Sequence, residues 1–306
     1  MYWGIDLGGT KIEGVILSAA SPDAVVIRKR IDTEAHKGYE HIVQQIATLV
    51  QILESETGLR ASKLGIATPG TLDPKTNAMK GCNTTCLNGM PLKDDLEKVL
   101  KIPILIANDA NCFALAEATM GIIPDVLSDF RCVFGVIMGT GVGGGVILKS
   151  PNGQIFPLNG LQGIGGECGH NELEPDGYDC YCGKKGCVEQ VLSGPALQKF
   201  YFEKSGNQLP LKEIMANYEA GNDEFANQTV DRMLEYFGKF ISILTNLLDP
   251  DAIVIGGGVG NIDLLYTQGK ERLKKYIFNN GRVDTPILKP KLGDSAGVFG
   301  AAMLTI

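Results

Sequence analysis

The chain has no surplus of positive charge: 28 Lys and Arg stand against 35 Asp and Glu, a net charge of −7, and no basic run stands out. That removes the electrostatic footprint of a nucleic-acid surface. It has no apolar run long enough to span a bilayer, no low-complexity tract and no long linker. No leader is expected ahead of Tyr2-Trp3-Gly4-Ile5, which already reads as a strand, so the eight cysteines are expected in a reducing cytoplasm. Its glycine runs fit neither G-x-G-x-x-G in a conventional βαβ unit nor G-x-x-x-x-G-K-[ST]. Histidine is scarce, three residues in all, and His36 and His41 fall in and before a surface helix, where solvation accounts for them.

What is present is glycine. Thirty-nine glycines in 306 residues exceed the usual ~7% without a G-x-y period, and they gather in short runs that suggest loops approaching a ligand. The length suggests roughly two domains, and 44% hydrophobic content can fill two cores. Trp3 to Leu17 reads as a hairpin turned at Gly8-Gly9. A helix is expected over Tyr39–Thr57 from Ile42, Val43, Ile46, Leu49, Val50 and Leu53, with Gly58 as its C′ residue. Strands are expected at Leu64–Thr68, Ile102–Ala107 and Ala252–Ile255. Further helices are expected from about Ala110 and over Gly194–Ser205, Leu211–Ala220, Phe225–Leu248, Asp263–Phe278 and Gly297–Leu304. The first hairpin then repeats. Gly4-Ile5-Asp6-Leu7-Gly8 through Gly14-Val15-Ile16-Leu17 returns as Gly135-Val136-Ile137-Met138-Gly139 through Gly145-Val146-Ile147-Leu148, at a constant offset of 131 residues. An internally duplicated α/β protein follows from that.

Three glycine loops follow strands. Gly8-Gly9-Thr10-Lys11 offers backbone N–H groups, a hydroxyl and an ammonium to a phosphate, and Asp6 on the strand before it could hold Mg²⁺. Gly139-Thr140-Gly141, followed by Gly143 to Gly145, offers a second side-chain-free surface, and Gly256-Gly257-Gly258 leaves a strand end where α/β sheets place ligands. Each loop alone reads equally well as a tight turn; the three together point to nucleotide phosphate. Asn108-Asp109 opens a helix directly after an apolar strand, which suits an N-cap and also suits a carboxylate that accepts a substrate proton. His170, Cys180, Cys182 and Cys187 form a dense C-x-C-x₄-C set with a histidine ten residues upstream. A Cys₃His set is a structural zinc arrangement with no open position for substrate, and buried reduced thiols beside a core histidine are the alternative.

Together D-L-G-G-T-K (Asp6 to Lys11), N-D-A-N (Asn108 to Asn111), G-T-G-V-G-G-G (Gly139 to Gly145), G-E-C-G-H (Gly166 to His170), C-x-C-G-x-x-G-C-x-E (Cys180 to Glu189) and D-P-D-x-I-V-I-G-G-G (Asp249 to Gly258) resemble the ROK family of bacterial sugar kinases and sugar-responsive repressors, in order and spacing. The resemblance implies a duplicated actin-like, ribonuclease-H-like two-domain ATPase fold with ATP and Mg²⁺ in a cleft between domains. A smaller α/β domain would take 1–118 plus a helix at 295–306, and a larger one with the zinc loop 119–294. It implies Asp109 as general base, and Asn83, Asn108, Glu167, His170 and Glu189 as sugar ligands. It further implies Asp6, Gly8, Gly9, Thr10, Lys11, Gly139, Thr140, Gly141, Gly256, Gly257 and Gly258 at the nucleotide, with His170, Cys180, Cys182 and Cys187 on zinc. The partner implied is a small sugar, with no nucleic acid or membrane, and the assembly a homodimer. The loop Asn83-Thr84-Thr85-Cys86-Leu87-Asn88-Gly89-x-Pro91, G-H-N (Gly169 to Asn171), C-Y-C-G-K-x-G-C (Cys180 to Cys187) and T-P-x-x-K-x-K-x-G-D-S-x-G-V (Thr285 to Val298) resemble the manno(fructo)kinase branch, which makes phosphorylation of fructose the expected reaction. N-acetylglucosamine kinase is the alternative, sharing N-D-A-N-C-F-A-L and G-T-G-V-G-G-G. A ROK transcriptional regulator would need a helix-turn-helix domain for which no room is expected ahead of the first strand, and a chaperone-like ATPase would leave Glu167, His170 and Glu189 without a sugar.

Overall fold

A computed structural model describes residues 1–306. The chain opens with β1 (Tyr2–Leu7) and β2 (Lys11–Leu17), an antiparallel hairpin whose turn is closed by the Gly8 N–H donating to Lys11 O at 3.0 Å. β3 (Val25–Asp32) lies at the sheet edge, where Arg28, Lys29 and Arg30 discourage further pairing. α1 (Tyr39–Thr57) buries Ile42, Val43, Ile46, Leu49, Val50 and Leu53. At roughly 1.5–3 kcal/mol for each large aliphatic side chain, that stripe alone fixes the helix on the sheet. Gly58 terminates it in the left-handed region, its N–H bonding Glu54 O at 2.8 Å, as expected for C′. β4 (Leu64–Thr68), the small pair β5 (Thr71–Leu72) and β6 (Met79–Lys80), α2 (Leu92–Leu100), β7 (Ile104–Asn108), α3 (Asp109–Thr119) and α4 (Ile123–Val126) follow.

The second half begins with β8 (Cys132–Met138) and β9 (Val142–Lys149), the two strands at the 131-residue offset. β10 (Ile155–Pro157), α5 (Glu189–Leu192), α6 (Gly194–Ser205), α7 (Leu211–Ala220), α8 (Glu224–Leu248), β11 (Ala252–Gly256), α9 (Gly257–Gly260), α10 (Gln268–Leu273), β12 (Ile287–Leu288) and α11 (Ala296–Met303) complete the chain. The two five-stranded sheets run β3-β2-β1-β4-β7 and β10-β9-β8-β11-β12. Strand for strand the order is the same, so the repeat seen in one hairpin extends to the whole sheet.

The chain divides into two compact units: 1–130, 145–166 and 290–306 form one, and 131–144 with 167–289 the other. This differs from the expected boundaries at 118/119 and 294/295: residues 119–130, 145–166 and 290–294 also fall in the first unit. Within that unit α11 lies almost against the backbone of its neighbours. A Cβ on Gly4 would stand 2.4 Å from Ala302 N, one on Gly65 1.8 Å from Ala301 O, and one on Gly300 1.8 Å from Cys112 O. No side chain fits at those positions, so glycine is what permits the packing. Glu117, fully buried on α3, accepts the N–H groups of Ile122, Lys291 and Leu292 at 2.8–3.1 Å and needs no cationic partner.

Two expectations fail. The helix expected over 263–278 is a 3-10 turn at Asp263–Leu265 followed by the short α10. At the break, the Tyr266 hydroxyl donates to Gly260 O at 2.7 Å, and beyond it Gly269 lies flat on Phe237, where a Cβ would meet Cδ1 at 2.7 Å. These tertiary contacts override the apolar periodicity. Gly143 to Gly145, expected as loop, are strand residues of β9. Gly145 is pressed onto the first turn of α3, 2.6 Å from Ala110 O for a would-be Cβ. No helix is long and apolar enough to cross a membrane.

Candidate active site and metal cluster

In the first unit, β1 delivers Asp6 to its C-terminal end, where the backbone of Gly297 lies against the carboxylate. Burial first, and then the charges of Asp109 and Glu13, push the Asp6 carboxyl up to about 6 against the opposing pull of Arg30 and Arg28. Burial alone would also raise Glu13, but Arg28 Nε at 2.5 Å and Arg30 Nη2 at 3.0 Å hold its carboxyl below the usual range. Unlike Glu13, Asp6 has no guanidinium hydrogen bond to relieve it, a setting that favours a divalent cation. At the start of α3, Asn108 is the N-cap, its Oδ1 accepting the Ala110 N–H at 2.8 Å. Asp109 follows as the first helical residue, exposed, with its Oδ1 2.7 Å from the same N–H. The cap and the acid are thus adjacent residues, and the two readings of Asn108-Asp109 divide between them.

Gly8, Gly9 and Thr10 form the β1–β2 turn and Lys11, exposed, begins β2. Thr33 braces the turn, its hydroxyl donating to Gly8 O at 2.6 Å and its N–H to Thr10 O at 2.8 Å. A depression of about 500 Å³ is lined by Gly9, Ala35, His36, Asn83, Thr84, Thr85 and Cys86. It brings Gly9 and Asn83 together and adds Thr84, whose hydroxyl would be 3.4 Å from a Cβ on Gly9. Thr84 stood in the Asn83 loop without a role of its own, and only the fold sets it opposite the turn.

In the second unit, the ends of β8 and β11 lie side by side in parallel register, Gly256 opposite Ile137. The turn at Gly139, Thr140 and Gly141 and the turn at Gly256, Gly257 and Gly258 are therefore neighbours, with Gly258 N 3.9 Å from a Cβ built on Gly139. Gly257 holds φ +82 directly over Met138 O, a conformation and a space that only glycine tolerates. Glu189, the first residue of α5, accepts the Val142 N–H at 3.0 Å. Its Oε2 lies 2.5 Å from where a Gly141 Cβ would be, so a glycine expected at the nucleotide also makes room for a carboxylate expected at the sugar. The carbonyl of the same Val142 packs on Gly169, 1.8 Å from a would-be Cβ, which sets the turn carrying His170. Glu167 is exposed at the head of that turn, Cys168–His170.

His170, Cys180, Cys182 and Cys187 place one donor atom each within 4.8 Å of one another. His170 Nδ1 is 3.6 Å from Cys180 Sγ, and Cys182 Sγ 3.6 Å from Cys187 Sγ. Ligands on a tetrahedral zinc, with Zn–S near 2.3 Å and Zn–N near 2.0–2.1 Å, stand roughly 3.6–3.8 Å apart, so the set fits that ion. Backbone pairing holds the loop round it: Asp179 with Lys185, Glu172 with Cys187, and Cys180 N–H to Lys184 O at 2.8 Å. The pair of Arg232 and Glu174 at 2.6 Å ties the loop to α8, the guanidinium stacked on Phe200 and Tyr236. Tyr181, between two of the cysteines, was assigned nothing from the sequence; its hydroxyl is 2.9 Å from His170 Nε2. Cys82, Cys86, Cys112, Cys132 and Cys168 take no part in the cluster.

A model of the ROK family matches residues 2–306. N-acetyl-D-glucosamine kinase of Aliivibrio fischeri is 36% identical over 316 residues, covering 100% of this chain and 99% of that protein. Among solved structures, the ROK hexokinase of Thermus thermophilus superimposes with a TM-score of 0.86 at 29% identity, over 99% of this chain and 97% of that one. A ROK family glucokinase of Streptomyces griseus, in complex with glucose and AMPPNP, does so at 0.75 and 26%, over 99% and 98%.

Proposed function

The chain belongs to the ROK family and is a sugar kinase of the actin-like two-domain fold, and from that premise we propose that its substrate is N-acetylglucosamine, phosphorylated at the terminal hydroxyl by ATP. The observation that carries the choice of sugar is the 36% identity to an N-acetyl-D-glucosamine kinase along the full length of both chains. The fructose expected from the Asn83 to Pro91 loop and three other short motifs gives way to it: those motifs weigh less than similarity along the whole of both chains.

Asp109 takes the proton of the attacking hydroxyl; its exposure at the head of α3 suits that task. Asp6 would hold Mg²⁺, whose charge would offset the burial and the neighbouring carboxylates that raise its own carboxyl. The N–H groups of the turns at Gly8–Thr10, Gly139–Gly141 and Gly256–Gly258, with Lys11, bind the nucleotide phosphates. Positioning and charge stabilisation are most of what a loose phosphoryl-transfer transition state requires. Asn83, Asn108, Glu167, His170 and Glu189 take the sugar hydroxyls. Zinc, when bound by His170, Cys180, Cys182 and Cys187, supplies a cross-link that steadies His170 and the loop leading to Glu189, and all four of its positions are taken by protein. The protein works in the cytoplasm on this reading, where thiol ligands stay reduced.

The test is a coupled ADP-release screen over N-acetylglucosamine, fructose, mannose, glucose and N-acetylmannosamine. N-acetylglucosamine is expected to give the highest kcat/KM. A preference for fructose would restore the other branch, and ADP release without any added sugar would reject the kinase mechanism.

A further inference from the structure

Tyr181 is 82% exposed, so its ring is free to move without disturbing a core. Its hydroxyl sits 2.9 Å from His170 Nε2, and the two rings meet edge-on with centroids 5.1 Å apart at 87°. The other imidazole nitrogen, Nδ1, faces Cys180 Sγ and so belongs to the metal cluster. A metal on Nδ1 takes that lone pair and leaves the ring proton on Nε2, which makes Nε2 a donor and the phenol oxygen its acceptor. The Tyr181 hydroxyl therefore uses the one His170 donor that the metal leaves available, the donor assigned above to a sugar hydroxyl.

We propose that the Tyr181 hydroxyl occupies on His170 the position of a sugar hydroxyl, and that the substrate binds by displacing it. This rests on the assignment of His170 as a sugar ligand. The chemistry of the exchange is symmetrical: an O–H oxygen accepts from Nε2–H before and after, so the donor is never left unpaired. The exposed ring leaves without opening a cavity, since solvent already surrounds most of it. The tyrosine is thus an internal competitor, and it sets apparent sugar affinity by the fraction of time it is bonded to His170.

Tyr181→Phe keeps the ring and removes the competitor. Zinc-loaded wild type and variant are titrated calorimetrically, without nucleotide, with N-acetylglucosamine and in a separate arm with fructose, and zinc content is measured on both. For the sugar that the wild type binds, Kd is expected to fall about 2- to 10-fold, the range of one exposed hydrogen bond, at equal zinc content. An unchanged or higher Kd with zinc retained overturns the proposal. Loss of zinc overturns it too, by making the tyrosine a support of the cluster. If the wild type binds neither sugar, the functional reading itself has failed, which is a separate result.

Discussion

Gly141→Ala separates recognition from folding. Gly141 lacks the left-handed φ that would make alanine strained, so the new methyl group is accommodated or not by space alone. That methyl would lie 2.5 Å from Glu189 Oε2, where ordinary contact begins near 3.4 Å. The obstacle is the far end of a flexible side chain, so the carboxylate retreats by about 1 Å while the backbone stays, since bending the backbone costs more. Its hydrogen bond from Val142 N, 3.0 Å long, is lost or stretched. A hydrogen bond to a charged group contributes about 1.5–3 kcal/mol, part of which water restores at this half-exposed site. Alanine recovers about 0.4–1 kcal/mol by restricting the unfolded chain. Stability should therefore fall by no more than about 1–2 kcal/mol. A sugar ligand displaced by about 1 Å can cost one to two orders of magnitude in turnover. Initial rates against N-acetylglucosamine at saturating ATP should show kcat/KM reduced about 10-fold or more, and urea denaturation a midpoint lowered by no more than about 1 M. A kcat/KM within about twofold of wild type would refute the reasoning, as would a stability loss beyond about 3 kcal/mol.

Four other perturbations test separate links. Asp109→Asn should lower kcat by about 10²–10⁴ while calorimetric sugar affinity persists; turnover within tenfold of wild type would remove Asp109 as the base. Cys182→Ser replaces a thiolate by a poor zinc ligand and should lower zinc content and raise sugar Kd; unchanged stability and sugar KM after complete zinc removal would sink the scaffold role. Asp6 binds its proton more tightly folded than unfolded, so stability falls as pH rises from about 4 through about 6. Asp6→Asn should consequently be about 1–3 kcal/mol more stable than wild type at pH 7.5 without Mg²⁺, and inactive. A gain absent at pH 7.5, or equally present at pH 4, would contradict the raised carboxyl. Glu117→Gln turns an NH₂ towards either Ile122 N or Leu292 N in whichever orientation it takes, because each oxygen already accepts one of them. The loss should be about 2–4 kcal/mol, and one below about 1 kcal/mol would show that the buried charge cost as much as its bonds returned.

The legible parts of the fold were those set by local periodicity. The α1 boundaries, Tyr39–Thr57, follow from an apolar stripe and a C′ glycine, and both act within one helix. The repeat of β1–β2 in β8–β9 was visible because its glycines recur at fixed spacing. Where glycine served packing between elements, reading failed: Gly143 to Gly145 looked like a loop, yet Gly145 is flat against α3 inside a strand. The 263–278 segment failed for a related reason, since Tyr266 and Gly269 answer to β11 and α8 and not to their own turn. In the site, residue types pointed to Asp109 and to the Cys₃His set, whose donor atoms do converge. The Val142 amide, Thr84 and Tyr181 were not legible, because a backbone donor leaves no mark in a sequence and the other two acquire meaning only from what the fold sets beside them. Choice of sugar was the least legible, because a few short motifs sample too little of the pocket that tells one hexose from another.

The closeness of α11 to β1, β4 and α3 has a consequence for synthesis on the ribosome. Gly4 and Gly65 face Ala301 and Ala302, so the strands made first are completed by a helix made after the whole second unit. At about 5–20 residues per second the wait is on the order of ten seconds, far longer than strands need to pair. During it, Cys112, Ala67 and Ala107, which pack with Ala301 in the finished protein, have no cover. The packing of the first unit is thus completed only when the last helix has been made. An N-terminal half expressed alone would keep that apolar strip exposed indefinitely.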